Sequence, residues 1–232
     1  MSRDVLLPGQ IDESRVAAVQ RRTLVVVVAA QVLGGLGLAA GVSVGVLIAR
    51  QLLDSALLTG LPLAAATAGG AAAAIGLSRV MAHGGRRPGL VTGYLLGAVG
   101  SAGVVVAAQV QSFPLLCLAM AVFGSGNVAS LLARYAGADL APAHSRGRAL
   151  SLVLFATTFG AVAGPNLVGP TRRVAESLSL PSLTGPFLLA AVAYVLAAAV
   201  LAALLRPDPL LLARERDGGD GGGGDGRGAA PA

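Results

Sequence analysis

Six apolar stretches, each of about 20 residues or more, restrict what this chain can become. They run over Leu24–Ile48, Ala56–Leu77, Leu90–Val110, Phe113–Ala133, Ala149–Gly169 and Leu183–Leu205. At 1.5 Å per residue, that length matches a hydrocarbon core of roughly 30 Å. The 232 residues are 55% hydrophobic and only 12% charged, with a mean hydropathy of +0.77. A soluble domain needs roughly a quarter of its residues charged. Here the charges sit in short islands between the stretches, so lipid must solvate most of the surface. Backbone N–H and C=O groups in hydrocarbon must pair within their own segment, which makes the stretches helices. A β-barrel would instead show alternating segments of about ten residues, and none occur. The expected fold class is all-α, a polytopic membrane protein built as a bundle of six transmembrane helices.

All 17 basic residues are arginine, and their positions set the expected orientation. Arg3, Arg15, Arg21, Arg22, Arg79, Arg86, Arg87, Arg134, Arg146, Arg148, Arg206, Arg214, Arg216 and Arg227 fall on one side of the six-span topology. Only Arg50, Arg172 and Arg173 fall on the other. Fourteen against three places both termini in the cytoplasm of a cell with the chain in its inner membrane. The expected organisation is a cytoplasmic tail over 1–22, a six-helix transmembrane domain over 23–206, and a disordered Gly/Asp-rich tail over 207–232. Gln20-Arg21-Arg22-Thr23 is faintly like a twin-arginine signal, but a cleaved signal has an apolar core of only about 7–15 residues. The run after it is longer and reads as the first span.

Several functions are excluded by residue types. The chain has no lysine, so it has no phosphate-binding P-loop. With 3% aromatic residues and no basic stripe between them, it is not built for nucleic acid. Cys117 is the single cysteine and reads as a small buried hydrophobe. Two distant histidines and one cysteine make no metal site. Ser125, between Gly124 and Gly126, invites comparison with an intramembrane serine nucleophile. Yet His83 and His144 fall in loops, out of reach as its base. No catalytic residue, metal or cofactor is expected, and the chain is not read as an enzyme.

Helices in lipid associate where small residues let backbones approach. Gly37, Gly41 and Gly45 repeat at four-residue spacing in the first span, Gly93 and Gly97 in the third, and Gly160 and Gly164 in the fifth. The fifth span continues through Pro165, Gly169 and Pro170. Pro165 lacks an N–H and crowds the carbonyl one turn earlier, so a kink is expected there.

That segment, Gly160-Ala161-Val162-Ala163-Gly164-Pro165-Asn166-Leu167-Val168-Gly169-Pro170, resembles the Gly-x-x-x-Gly-Pro-x-x-x-Gly-Pro signature of the major facilitator superfamily, its antiporter motif. The loop after the second span, from Ser78 through Gly85, Arg86, Arg87 and Pro88, resembles the family's Gly-x-Leu-x-Asp-Arg-x-Gly-Arg-Arg loop. Ala82 stands at the acidic position of that loop, Ser78 at its first glycine, and Met120 where the family often has an arginine in its fourth helix. A third stretch, Arg134 to Pro142 with Arg146 and Arg148, is similar to the loop between helices four and five. Order and spacing match the amino-terminal six-helix half, from about Arg21 to about Arg216. The resemblance implies transmembrane transport of a small molecule by alternating access between two six-helix halves. It also implies a conformational-gate loop formed by Arg86, Arg87, Asp139 and Arg148. Because the fifth-helix motif is commoner in exporters, efflux by proton antiport is the implied direction. The second half would be a separate six-helix body or a second copy. The alternative is a truncated or split fragment with no transport of its own.

Polar groups inside the membrane are costly unless paired or facing water, so they are the candidates for the substrate path. They are Gln31, Tyr94, Asn127, Thr157 and Thr158, with Ser125 and Asn166 behind them. No carboxylate lies in the middle of any span; Asp54, Asp139 and Glu176 sit at edges or in loops. A coupling acid would therefore come from the other half.

Overall fold

A computed structural model describes residues 13–52, 58–136, 146–206, 208 and 210; for 13–18, 38–43, 146 and 149 it describes the backbone alone. Among the described residues six α-helices follow one another: α1 (Glu13–Leu52), α2 (Leu61–Gly84), α3 (Arg86–Gln109), α4 (Phe113–Ala136), α5 (Arg146–Ser177) and α6 (Gly185–Leu204). The described residues contain no strand. All six helices are long and apolar enough to cross a bilayer. The fold is an all-α six-helix membrane bundle.

The helix ends differ from the apolar runs wherever backbone chemistry, rather than hydropathy, decides them. α1 begins at Glu13 and carries Arg21 and Arg22 on exposed turns ahead of its apolar run. α2 starts later than its run because Pro62 occupies its first turn, where a missing N–H costs nothing. It continues through Arg79 and His83 until Gly85, whose φ of +89° only glycine adopts readily. That residue alone separates α2 from α3. Gln111 makes the α3–α4 turn at φ 55°, closed by the Ser112 N–H on the Ala107 carbonyl at 3.0 Å. α5 runs as one helix through Pro165 and Pro170 to Ser177. The Thr171 hydroxyl donates to the Leu167 and Val168 carbonyls at 2.8 and 3.1 Å, supporting the turn after the second proline.

α4 lies against α2, α3 and α1, while α6 fills the opposite side against α1 and α3; α5 packs mainly on α1. Several contacts are backbone to backbone. A Cβ on Gly35 would sit 2.6 Å from the Thr157 carbonyl oxygen and 3.0 Å from the Gly160 Cα, so α1 and α5 cross with no side chain between them. α3 and α4 meet likewise at Gly97 and Gly126. Gly41 lies where only the backbone is described. The outward side of α5 carries Phe155 and Phe159, 69% and 66% exposed. On a bilayer protein these are the surfaces that meet lipid or another helix.

Candidate functional site

The interior is organised around two tyrosines. Tyr94 on α3 and Tyr194 on α6 are wholly buried, with ring centroids 5.7 Å apart. Phe123 lies 5.8 Å from Tyr194 and 5.6 Å from Phe187, extending the aromatic group toward the end of α6 where it begins. Three glycines make room for the Tyr194 ring. A Cβ on Gly126 would lie 2.7 Å from its Cε2 and one on Gly97 3.0 Å from its Cδ2, while one on Gly37 would overlap the other edge. The tyrosine thus reaches from α6 between α1, α3 and α4.

Each hydroxyl meets an amide. Tyr94 donates to Gln31 Oε1 at 3.4 Å, and Tyr194 donates to Asn127 Oδ1 at 3.1 Å. Gln31 is closed in further: Ser130 Oγ donates to Oε1 at 2.6 Å, and Gln31 Nε2 donates to the Ser130 carbonyl at 2.9 Å. Three of the sequence candidates, Gln31, Tyr94 and Asn127, therefore come together in one polar region, with Ser130 and Tyr194 added. Hydrophobic periodicity gave no signal for these last two. Serine is small enough to pass as packing, and a tyrosine in the most apolar helix passes as an interfacial anchor. A lone tyrosine in the sixth span, opposite glycines in the first, third and fourth, was the available clue.

The threonines sit elsewhere. Thr157 is buried and donates to the Val153 carbonyl at 3.0 Å; Thr158 is exposed and donates to the Leu154 carbonyl at 3.1 Å. Asn166 is exposed and donates to the Val162 carbonyl at 2.9 Å, within its own helix. Ser125 donates to the Val122 carbonyl at 2.7 Å. His83 is exposed, its Nδ1 2.9 Å from the Arg79 carbonyl oxygen.

At the α2–α3 loop the acid is Asp208. Its carboxylate accepts the Arg86 N–H at 3.0 Å and the Arg87 N–H at 2.7 Å, the first two donors of α3, which have no partner inside the helix. The Arg87 guanidinium turns the other way and donates to the Ala202 carbonyl near the end of α6, at 2.9 and 2.6 Å. The negative charge also complements the positive end of the α3 dipole. Asp139, expected as the partner of these arginines, lies outside the described residues, as do Asp54 and His144. Arg148 is exposed at the start of α5. Gly164, Pro165, Gly169 and Pro170 all lie within α5, with Gly164 buried and the other three exposed; Gly160 is buried at the α1 crossing.

Six apolar helices with a paired polar interior define an integral membrane protein of the polytopic helical class. No protein-family model matches the chain. Among curated proteins it is 47% identical over 205 residues to the uncharacterized MFS-type transporter YdeG of Bacillus subtilis, covering 88% of the chain and 48% of that protein. It is 40% identical over 207 residues to a second MFS-type transporter of the same organism, YddS, covering 89% and 48%. It is 31% identical over 193 residues to the riboflavin transporter RfnT of Brucella anthropi, covering 82% and 47%. The chain belongs to the major facilitator superfamily and corresponds to one six-helix half. It spans about half the length of the curated relatives it matches.

Proposed function

We propose that the chain is one half of a transporter that carries a small molecule across the inner cell membrane by alternating access, exporting it in exchange for protons. Its identity to transporters along nearly all of the bundle is the observation that carries this reading. The second half is a further six-helix body or a second copy, placed against the side of the bundle formed by α1, α4 and their flanking α2 and α5. Both termini face the cytoplasm, where fourteen of the 17 arginines gather. Since no carboxylate lies in the middle of any span, the second half supplies the acid that couples proton flow. The first turn of α3, carrying Arg86 and Arg87, forms the conformational gate with Asp208, Asp139 and Arg148, and the glycine–proline segment of α5 shapes the path. Nucleic acid has no part in the activity.

The test is reconstitution in liposomes under a pH gradient, with the chain alone and together with its six-helix partner. Riboflavin is the first cargo to try, because a relative 31% identical is named for it, followed by neutral fluorescent amphiphiles. Flux that needs the partner and the gradient is the expected result. Flux carried by a monomer of this chain alone would overturn the half-transporter reading. Absence of flux in every arrangement would favour a fragment without activity of its own.

A further inference from the structure

Between α3 and α6 a groove of about 410 Å³ opens on the outside of the bundle. It is lined by Ala98, Val99 and Ala102 on α3 and by four side chains from Ala191 to Leu196 on α6, all of them alanine, valine or leucine. Val99 and Val192 are 64% and 57% exposed along it. These positions lie near the middle of both helices. From Val195 to Leu204, the last residue of α6, is nine residues, about 14 Å at 1.5 Å per residue. Half of a hydrocarbon core is about 15 Å, so the groove sits near the centre of the bilayer. A hollow without polar groups holds no water, and left empty it would forfeit the contacts of its lining atoms. Hydrocarbon must fill it.

The charge at one end of the α3–α6 seam decides which hydrocarbon. There Arg87 reaches across from α3, its guanidinium donating to the Ala202 carbonyl of α6 at 2.9 and 2.6 Å. Arg206, just beyond α6, has an exposed side chain. The acid beside them, Asp208, is turned onto the Arg86 and Arg87 backbone N–H groups. Arg86, Arg87 and Arg206 against Asp208, three charges less one, leave a net charge of +2 where α6 leaves the hydrocarbon. A second copy in the same membrane orientation, seated on this groove, would bring its own Arg206 to the same end, and like charges facing across an interface are costly. An anionic headgroup is instead attracted there. We propose that the α3–α6 groove seats one acyl chain of an anionic glycerophospholipid whose phosphate lies between Arg87 and Arg206. The distance from that end of α6 to the groove is one leaflet of hydrocarbon, so a single chain reaches from headgroup to groove. The site is separate from the polar interior and does not depend on what the bundle transports.

The test places the full chain in phosphatidylcholine nanodiscs with a trace of phosphatidylglycerol that carries a diazirine near the end of one acyl chain. After illumination, the modified residues are mapped by mass spectrometry. Adducts are expected to concentrate between Ala98 and Ala102 and between Ala191 and Leu196. Excess unlabelled phosphatidylglycerol should suppress them at least tenfold, and the same excess of phosphatidylcholine with identical chains should not. Arg206→Gln should lower that preference about fivefold. Arg79→Gln, which removes an exposed charge at the same end of the bundle, should leave it in place. Ala102→Leu fills the groove from an exposed position and should reduce the adducts at least tenfold with helicity by circular dichroism unchanged. Should either variant fail to fold, the adduct map and the competition on the unaltered chain decide by themselves. Adducts spread equally over other exposed side chains, such as Ile75 on α2 and Phe155 on α5, would mean ordinary bilayer contact and overturn the proposal. So would equal suppression by the two lipids, or chain-to-chain crosslinks across the groove, which would give it to a second copy.

Discussion

Gly37, Gly97 and Gly126 come from three different helices, yet each omits a side chain at one place, where the Tyr194 ring lies. A side chain added at Gly37 must push the ring or part the helices. Overpacking of this kind costs about 1–3 kcal/mol. Gly37→Val should therefore lower stability by that amount in reversible unfolding from mild detergent into SDS, whereas Gly76→Val, at a position open on all sides, should change little. Ser130→Ala removes the hydroxyl on Gln31 Oε1, and hydrogen bonds between membrane helices contribute about 0.6–2 kcal/mol. The same unfolding assay should show a loss in that range. Sequence reasoning marked Gly37 and Gly97 as packing positions and Gln31, Tyr94 and Asn127 as polar positions of interest. It did not connect them, because the residue that joins the glycines to Asn127 is 67 positions away on α6. Spacing along one helix shows which residues share a face, but not which distant side chain enters the space they leave.

The start of α3 shows the same limit at the scale of an element. The resemblance of the α2–α3 loop to a known gate was readable, and so was the absence of its acid at Ala82. That the carboxylate arrives from Asp208, 121 and 122 residues away, was not. A charged side chain just beyond the last apolar run reads as solvated tail, and only the return of α6 to the same end of the bundle brings it to the start of α3. Gly85 is the structural condition for this contact: its backbone is in a region open to glycine, and a Cβ there would press on the Asp208 carboxyl. Gly85→Ala should cost about 1–3 kcal/mol. Asp208→Ala leaves the first two N–H groups of α3 without their acceptor. Hydrogen–deuterium exchange should then rise at the Arg86 and Arg87 amides and stay unchanged at mid-helix residues such as Val104. The ends of α2 illustrate a smaller gap between sequence and structure. Hydropathy counted apolar residues from Ala56, while Pro62 and Gly85 set where the helix turns begin and stop.

At the scale of the whole molecule, the number of helices and their class were legible because bilayer thickness sets one length for every span, and that length is local information. The orientation proposed from the arginines is checked by labelling. In a Cys117→Ala background, a cysteine at Ser179 should react with an impermeant maleimide on intact cells. One at Ala232 should react only after permeabilisation. The reverse pattern would invert the topology and move the Arg86–Arg87 loop to the outside.

The bare crossing of α1 and α5 at Gly35 and Gly160 has a mechanical consequence. Two rods that touch at their backbones, with no side chains interlocked at the contact, share a fulcrum instead of a seam. From Gly160 to Ser177 the arm of α5 is about 25 Å long at 1.5 Å per residue, so a tilt of about 10° about that point carries its far end through about 4 Å. The spacing at Gly35 itself barely changes during such a swing. A bulkier residue at either glycine would move the fulcrum outward and shift both arms together.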